Sequence, residues 1–183
     1  MSQATIVTAS GLYFDILEPT PDMVCIEDIA HSSSQCNRFT GHCRFPYPVS
    51  QHSRLGSYLV PMKYAMRFLL HDASETYIGD VNRPLKHFTK AGEEYRKVEA
   101  PLQSMIYNKF GLAAEDPEII HEIDNQMLYA EKAQIMPTTE WKNSWSKDKV
   151  AADVKIVETS FRVNKALFLD RFYDILHYGG PQL

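Results

Sequence analysis

The ten residues from His71 to Asp80 carry one histidine and three acids, and they follow directly on an apolar run, Ala65 to Leu70, broken only by Arg67. An acidic cluster that starts at the edge of a core needs a counter-charge, because burying unpaired carboxylates is costly, and a divalent metal ion is a natural one. If the stretch is helical, Asp72 and Glu75 share one side and His71 stands four residues before Glu75, so all three crowd one patch. The chain must therefore fold so that other elements bring further ligands to His71 and Asp72.

With 183 residues, the chain has the length of one domain with a single sizeable core. A net charge of −4 gives no broad basic field, which argues against general nucleic-acid binding but leaves small anionic substrates open. The three cysteines, Cys25, Cys36 and Cys43, form no CxxC pair, which fits reduced thiols in a cytoplasmic setting. No apolar run approaches the roughly 18 residues of a membrane span, and the first residues do not resemble a signal peptide.

Hydrophobic periodicity predicts a mainly α domain: about six helices with a small N-terminal β-hairpin and no βαβ alternation. The hairpin is expected over residues 4–8 and 12–16, around Ala9-Ser10-Gly11. Helices are expected over 26–35, 49–60, 61–76, 90–110, from an Asp116-Pro117 start to 136, and over 157–177. The segments 36–48 and 78–86 read as irregular, and 137–153, with Trp141 and Trp145, reads as a polar loop. Residues 26–136 then form the helical core of one domain spanning 1–183, with 137–183 as a C-terminal loop and helix.

A hydrolytic metal site needs three or four N/O ligands and an open position. His71 and Asp72 supply two. His52, early in the preceding helix, is the best third candidate. Asp124, lying between apolar residues in mid-helix, is the best fourth, with Glu122 its competitor. His31, His42, His87, His121 and His177 are better read as surface or supporting histidines.

The order His52, His71-Asp72, Asp124 resembles the H…HD…D pattern of the HD-domain metal-dependent phosphohydrolases. The His71-Asp72-Ala73-Ser74-Glu75 run, Gly79-Asp80, and Arg38 fourteen residues before His52 are similar to the bacterial 5′-deoxynucleotidase branch. The hairpin, the Asp28-Ile29-Ala30-His31 element, the Arg38-to-His42 loop, Gln51-His52-Ser53, and the offsets of Pro84 and Lys86 look most like the phage DatZ-type dATP triphosphohydrolases. The resemblance covers roughly residues 4–136, and the tail beyond Trp145 carries no motif. Nineteen residues separate His52 from His71, fewer than in the bacterial branch, so the connection between their helices is abbreviated.

The resemblance implies hydrolysis of a deoxynucleoside triphosphate, dATP to deoxyadenosine and triphosphate, in the cytoplasm (the host's, if phage-encoded), by a homo-oligomer such as a hexamer. The alternatives are a 5′-deoxynucleotidase acting on monophosphates and a non-catalytic nucleotide-binding module. His52, His71, Asp72 and Asp124 would hold Zn²⁺ or Co²⁺, with Mn²⁺ or Fe²⁺ also compatible with that donor set, and Mg²⁺ could accompany the triphosphate. Glu75 could orient or deprotonate the attacking water, with Asp80 the competing general acid or base. Arg38 and Lys86 would neutralise phosphate charge, with Arg83 an alternative. Phe39, Pro84 and Tyr77 are apolar surfaces that could sandwich a base. The expected partner is a small deoxynucleotide, with no nucleic acid and no membrane.

Overall fold

In the computed structural model, residues 4–137 and 149–178 are described. β1 (Thr5–Val7) and β2 (Tyr13–Asp15) pair antiparallel, with Ile6 opposite Phe14 and Val7 opposite Tyr13. The pleat turns the Ile6–Phe14 pair to the core and leaves Val7 and Tyr13 outside. Gly11 adopts φ +86° in the connecting turn, a left-handed conformation that favours glycine. The tip is fastened to the next helix: Ser10 N and Oγ both donate to the buried Asp28 carboxylate at 2.7 Å.

Among the described residues there are eight α-helices: α1 (Ile26–Ser33), α2 (Val49–Gly56), α3 (Met62–Leu69), α4 (Glu75–Ile78), α5 (Arg83–Phe88), α6 (Lys90–Lys109), α7 (Glu118–Ile135) and α8 (Phe161–Tyr178). The mainly helical architecture with one hairpin agrees with the sequence reading; α2 ends at Gly56 instead of 60, α8 starts at Phe161 instead of 157, and three divisions differ more deeply.

The helix expected over 61–76 is broken. α3 stops at Leu69, residues 70–74 form a turn, and α4 resumes at Glu75. The cause is tertiary: Gln103 of α6 donates to Leu70 O (2.7 Å) and accepts from Ser74 N (2.9 Å), giving the broken ends partners that a continuous helix would not need. α5 occupies part of the stretch read as irregular. Asn82 Oδ1 accepts from Leu85 N, so Pro84 sits in a capped first turn instead of breaking the chain. Pro117, not Asp116, caps α7; Asp116 instead takes hydrogen bonds from Arg67 (2.6 Å) and Tyr107 (3.0 Å).

Segment 36–48 is irregular, as expected, apart from one 3₁₀ turn over Arg38–Gly41. Its base is closed by Arg38 N to Tyr47 O and Val49 N to Cys36 O, both 2.9 Å. Trp141 and Trp145 lie outside the described residues. The segment after them is part of the body of the fold: α8 packs on α1, α2 and α3, and Phe168, Phe172 and Ile175 belong to the main core with Phe14, Phe68 and Met127. Among the described residues no helix is long and apolar enough to cross a membrane.

Candidate metal centre

Three elements carry the site: α2 supplies His52, the turn after α3 supplies His71 and Asp72, and α7 supplies Asp124. Gly56 lets α2 approach α3 closely, because a Cβ there would collide with the Phe68 ring. That ring packs against both histidines, with centroids 5.9 Å from His52 and 4.5 Å from His71. The break in the helix turns His71 and Asp72 toward α2 and α7, where they meet His52 and Asp124.

The four residues named from the sequence as ligands converge. His52 Nε2 lies 3.2 Å from Asp124 Oδ1, 3.3 Å from His71 Nε2 and 3.8 Å from Asp72 Oδ2. His71 Nε2 lies 3.3 Å from Asp72 Oδ2 and 3.8 Å from Asp124 Oδ1. Among the described residues, the group His52, His71 and Asp72 offers ligand atoms all within 4.8 Å of one another, and Asp124 joins it through its contacts with the two histidines. Metal–ligand bonds of about 2.0–2.1 Å in a tetrahedral shell put neighbouring ligand atoms about 3.3–3.4 Å apart, so the donor set fits a divalent ion.

Both histidines have their tautomer set from behind. His52 Nδ1 donates to Glu131 Oε1 (2.6 Å) and His71 Nδ1 donates to Phe68 O (2.6 Å), which turns both Nε2 atoms to the centre. Glu131 is fully buried and also accepts from Tyr47 Oη (2.9 Å) and Arg38 Nη2 (3.4 Å). The sequence reading missed Glu131 and Tyr47. The available signal was spacing: Glu131 stands seven residues after Asp124, on the same face of α7.

Electrostatics bind the set together. Burial and the Arg38 charge push His52 down, but Glu131 and Asp124 outweigh them and raise it to about 9. Burial opposes ionisation of Asp124, yet hydrogen bonds from His52 and His71 hold its carboxyl well below the usual range. Glu131 is likewise lowered against its burial by Arg38 and His52. Without a metal, protons on the histidines and the Arg38 guanidinium balance these carboxylates.

Arg38 reaches the centre directly, Nη1 donating to Asp72 Oδ2 at 3.1 Å. It enters from a strained turn, where Phe39 and Thr40 have φ of +56° and +54°, a conformation costing about 1–3 kcal/mol per residue. Glu75 is buried at the start of α4, and its Oε2 has no hydrogen-bond partner. Burial, then Asp72 and Asp80, push its carboxyl well above the ordinary range. Asp80 follows in the half-buried extended stretch after α4 and is raised by burial, against Arg38. Lys86 Nζ donates to Glu99 (2.6 Å).

Other candidates are not brought in. Glu122 is exposed and hydrogen-bonded by Gln126, and His121 is exposed, so neither competes with Asp124. Tyr77 is a core residue stacked on Phe14 at 3.8 Å, which removes it as a base-sandwiching surface. Phe39 packs against the small core of Tyr47, Ile135 and Ile156, while Pro84 and Arg83 are exposed on α5.

No family model matches the chain. It is 35% identical over 130 residues to the uncharacterized protein YfdR of Escherichia coli (strain K12), covering 71% of each chain. It is 33% identical over 117 residues, 59% of each chain, to an uncharacterized protein of Rhodobacter capsulatus.

Proposed function

The chain belongs to the same family as Escherichia coli YfdR, and we infer that it is a metal-dependent phosphohydrolase of the HD class, acting on a deoxynucleoside triphosphate. The supporting observation is the convergence of two Nε2 atoms and two carboxylate oxygens from three elements, with the His52 and His71 Nε2 atoms 3.2–3.8 Å from each other and from the Asp72 and Asp124 oxygens. A divalent ion such as Zn²⁺ or Co²⁺ held there supplies a Lewis acid and a water of lowered pKa.

The chain's own groups do the rest. Glu131 and the Phe68 carbonyl hold the two imidazoles in the ligating tautomer. Arg38, within reach of Asp72, offers the forked donor suited to a phosphate oxygen. Hydrolysis joins the water oxygen to phosphorus and breaks the bond to the nucleoside 5′ oxygen, which leaves with the electron pair and needs a proton. Glu75, kept protonated by burial and by Asp72 and Asp80, has that proton to give. Asp80, which is raised less, accepts the proton lost by the water. Lys86, anchored by Glu99 and within the electrostatic influence of Glu75 and Asp72, adds positive charge. The preference for dATP comes from the resemblance alone.

The test is to incubate metal-loaded protein with each dNTP and each dNMP and resolve the products by chromatography. Deoxynucleoside and triphosphate from a dNTP are expected. If no nucleoside is released from any dNTP, the triphosphohydrolase reading fails; cleavage of dNMPs alone would make the protein a 5′-deoxynucleotidase.

A further inference from the structure

A cavity of about 450 Å³ lies between β1, α1 and α4, outside the ligand set. Its volume falls in the range of about 300–1,000 Å³ typical of small-ligand sites. Ile6, Val7 and Ala9 give it an apolar side; Gln35, Thr76 and Glu75 give it a polar one. Among the described residues no lysine or arginine lines it. Three atoms of lining residues, Glu75 Oε2, Thr76 Oγ1 and Tyr77 Oη, are buried without a hydrogen-bond partner. Buried polar atoms are nearly always paired, and one left unpaired costs about 1–3 kcal/mol. Ser32 Oγ donates to the Thr76 carbonyl at 2.8 Å, so α1 holds α4 in place while the threonine hydroxyl stays unpaired.

Glu75 belongs to both regions: it lines the cavity, and its carboxyl is under the influence of Asp72 and Asp80. We propose that this cavity receives the uncharged nucleoside end of the substrate, while the phosphates stay on the metal side of Glu75. The inference rests on the hydrolytic reading of the metal centre. A wall without cations does not suit a phosphate, whereas a ring with apolar faces and hydrogen-bonding edges matches one apolar side and one side with unpaired donors and acceptors. The competing surface is weaker, since Phe39 is engaged in the small second core and Pro84 lies exposed.

The experiment measures calorimetric binding of deoxyadenosine, the other deoxynucleosides and inorganic triphosphate to the metal-loaded protein. It compares the wild type with Ala9→Trp, which fills the cavity from the hairpin turn, Thr76→Val, which removes one hydroxyl without changing shape, and Phe39→Ala. A deoxynucleoside is expected to bind the wild type, and to bind Ala9→Trp and Thr76→Val at least tenfold more weakly. Triphosphate binding and metal content stay unchanged, and Phe39→Ala keeps its nucleoside affinity. In turnover, KM for the dNTP rises in both cavity variants while cleavage of 4-nitrophenyl phosphate does not change. No nucleoside binding to the wild type, equal affinity in Thr76→Val, or loss in Phe39→Ala alone overturns the proposal. Failure of the wild type to cleave any nucleotide removes the hydrolytic reading instead, and the nucleoside titrations then decide the cavity by themselves.

Discussion

Replacing Glu131 by glutamine tests the metal centre through a residue that is not itself a proposed ligand. Glu131 Oε1 receives the His52 Nδ1 proton at 2.6 Å, and its charge helps to raise His52 to about 9. Two opposing effects follow. Losing the carboxylate behind a ligating histidine weakens metal binding by about 10–100-fold. The same loss lets burial and the Arg38 charge lower His52, which removes a proton that the metal must otherwise displace. In the wild type pH 7 lies about two units below that pKa, so the proton weakens metal binding by on the order of 100-fold. The wild-type affinity should therefore rise about tenfold per pH unit from 7 to 9 and level off above. In Glu131→Gln the slope should flatten, leaving a small deficit at pH 7 and the full 10–100-fold deficit above pH 9. Competition of Co²⁺ or Zn²⁺ against a chelating indicator across this range measures it. Parallel pH slopes for the two proteins would refute the assignment of Glu131 as the partner that sets His52.

His71→Ala and Asp72→Ala are each expected to abolish metal content and turnover together, whereas Glu75→Gln keeps the metal and loses turnover; elemental analysis with product assays checks both, and full metal in Asp72→Ala contradicts the ligand set. Tyr47→Phe removes the 2.9 Å hydrogen bond to Glu131 and should destabilise the protein by about 1.5–3 kcal/mol in denaturant melts, with a smaller effect on metal affinity than Glu131→Gln. Gly56→Ala drives a methyl into the Phe68 ring and should cost about 1–3 kcal/mol, lowering Tm by about 2–4 °C per kcal/mol. Because Phe68 packs on both candidate ligand histidines, metal affinity should fall in Gly56→Ala as well; an unchanged Tm would show that α2 and α3 can move apart freely. Raising pH through 9 should destabilise the metal-free protein as His52 loses its proton, since a group raised above its unfolded value of about 6.5 contributes stability only while protonated; a Tm that climbs from pH 7 to 10 without metal would contradict this.

The candidate ligand set was legible because its residues break local expectations. Asp124, with Ile120 and Met127 one helical turn to either side, and His71-Asp72, straight after two leucines, are polar groups where the pattern calls for burial. The hairpin was legible because Thr5–Val7 and Tyr13–Asp15 flank a turn with glycine, all within one short stretch. Glu131 and Tyr47 were not, because one buried glutamate among the charged residues of a long helix has no local mark; only the approach of Tyr47, Arg38 and His52 identifies it. The tail likewise lacked a motif, and its value lies in Phe168, Phe172 and Ile175 completing the core.

By itself the sequence determined the helical class, the hairpin and the identity of the four candidate ligands, because periodicity, turn residues and misplaced polar groups are local properties of the chain. Tertiary structure decided where the helix carrying His71 and Asp72 ends. A single side chain, Gln103 of α6, supplies the partners that make a turn there affordable, and it lies about thirty residues away in sequence. It also decided which nitrogen each histidine presents, since that depends on Glu131 and on the Phe68 carbonyl, contacts that form only when α2, α3 and α7 pack together.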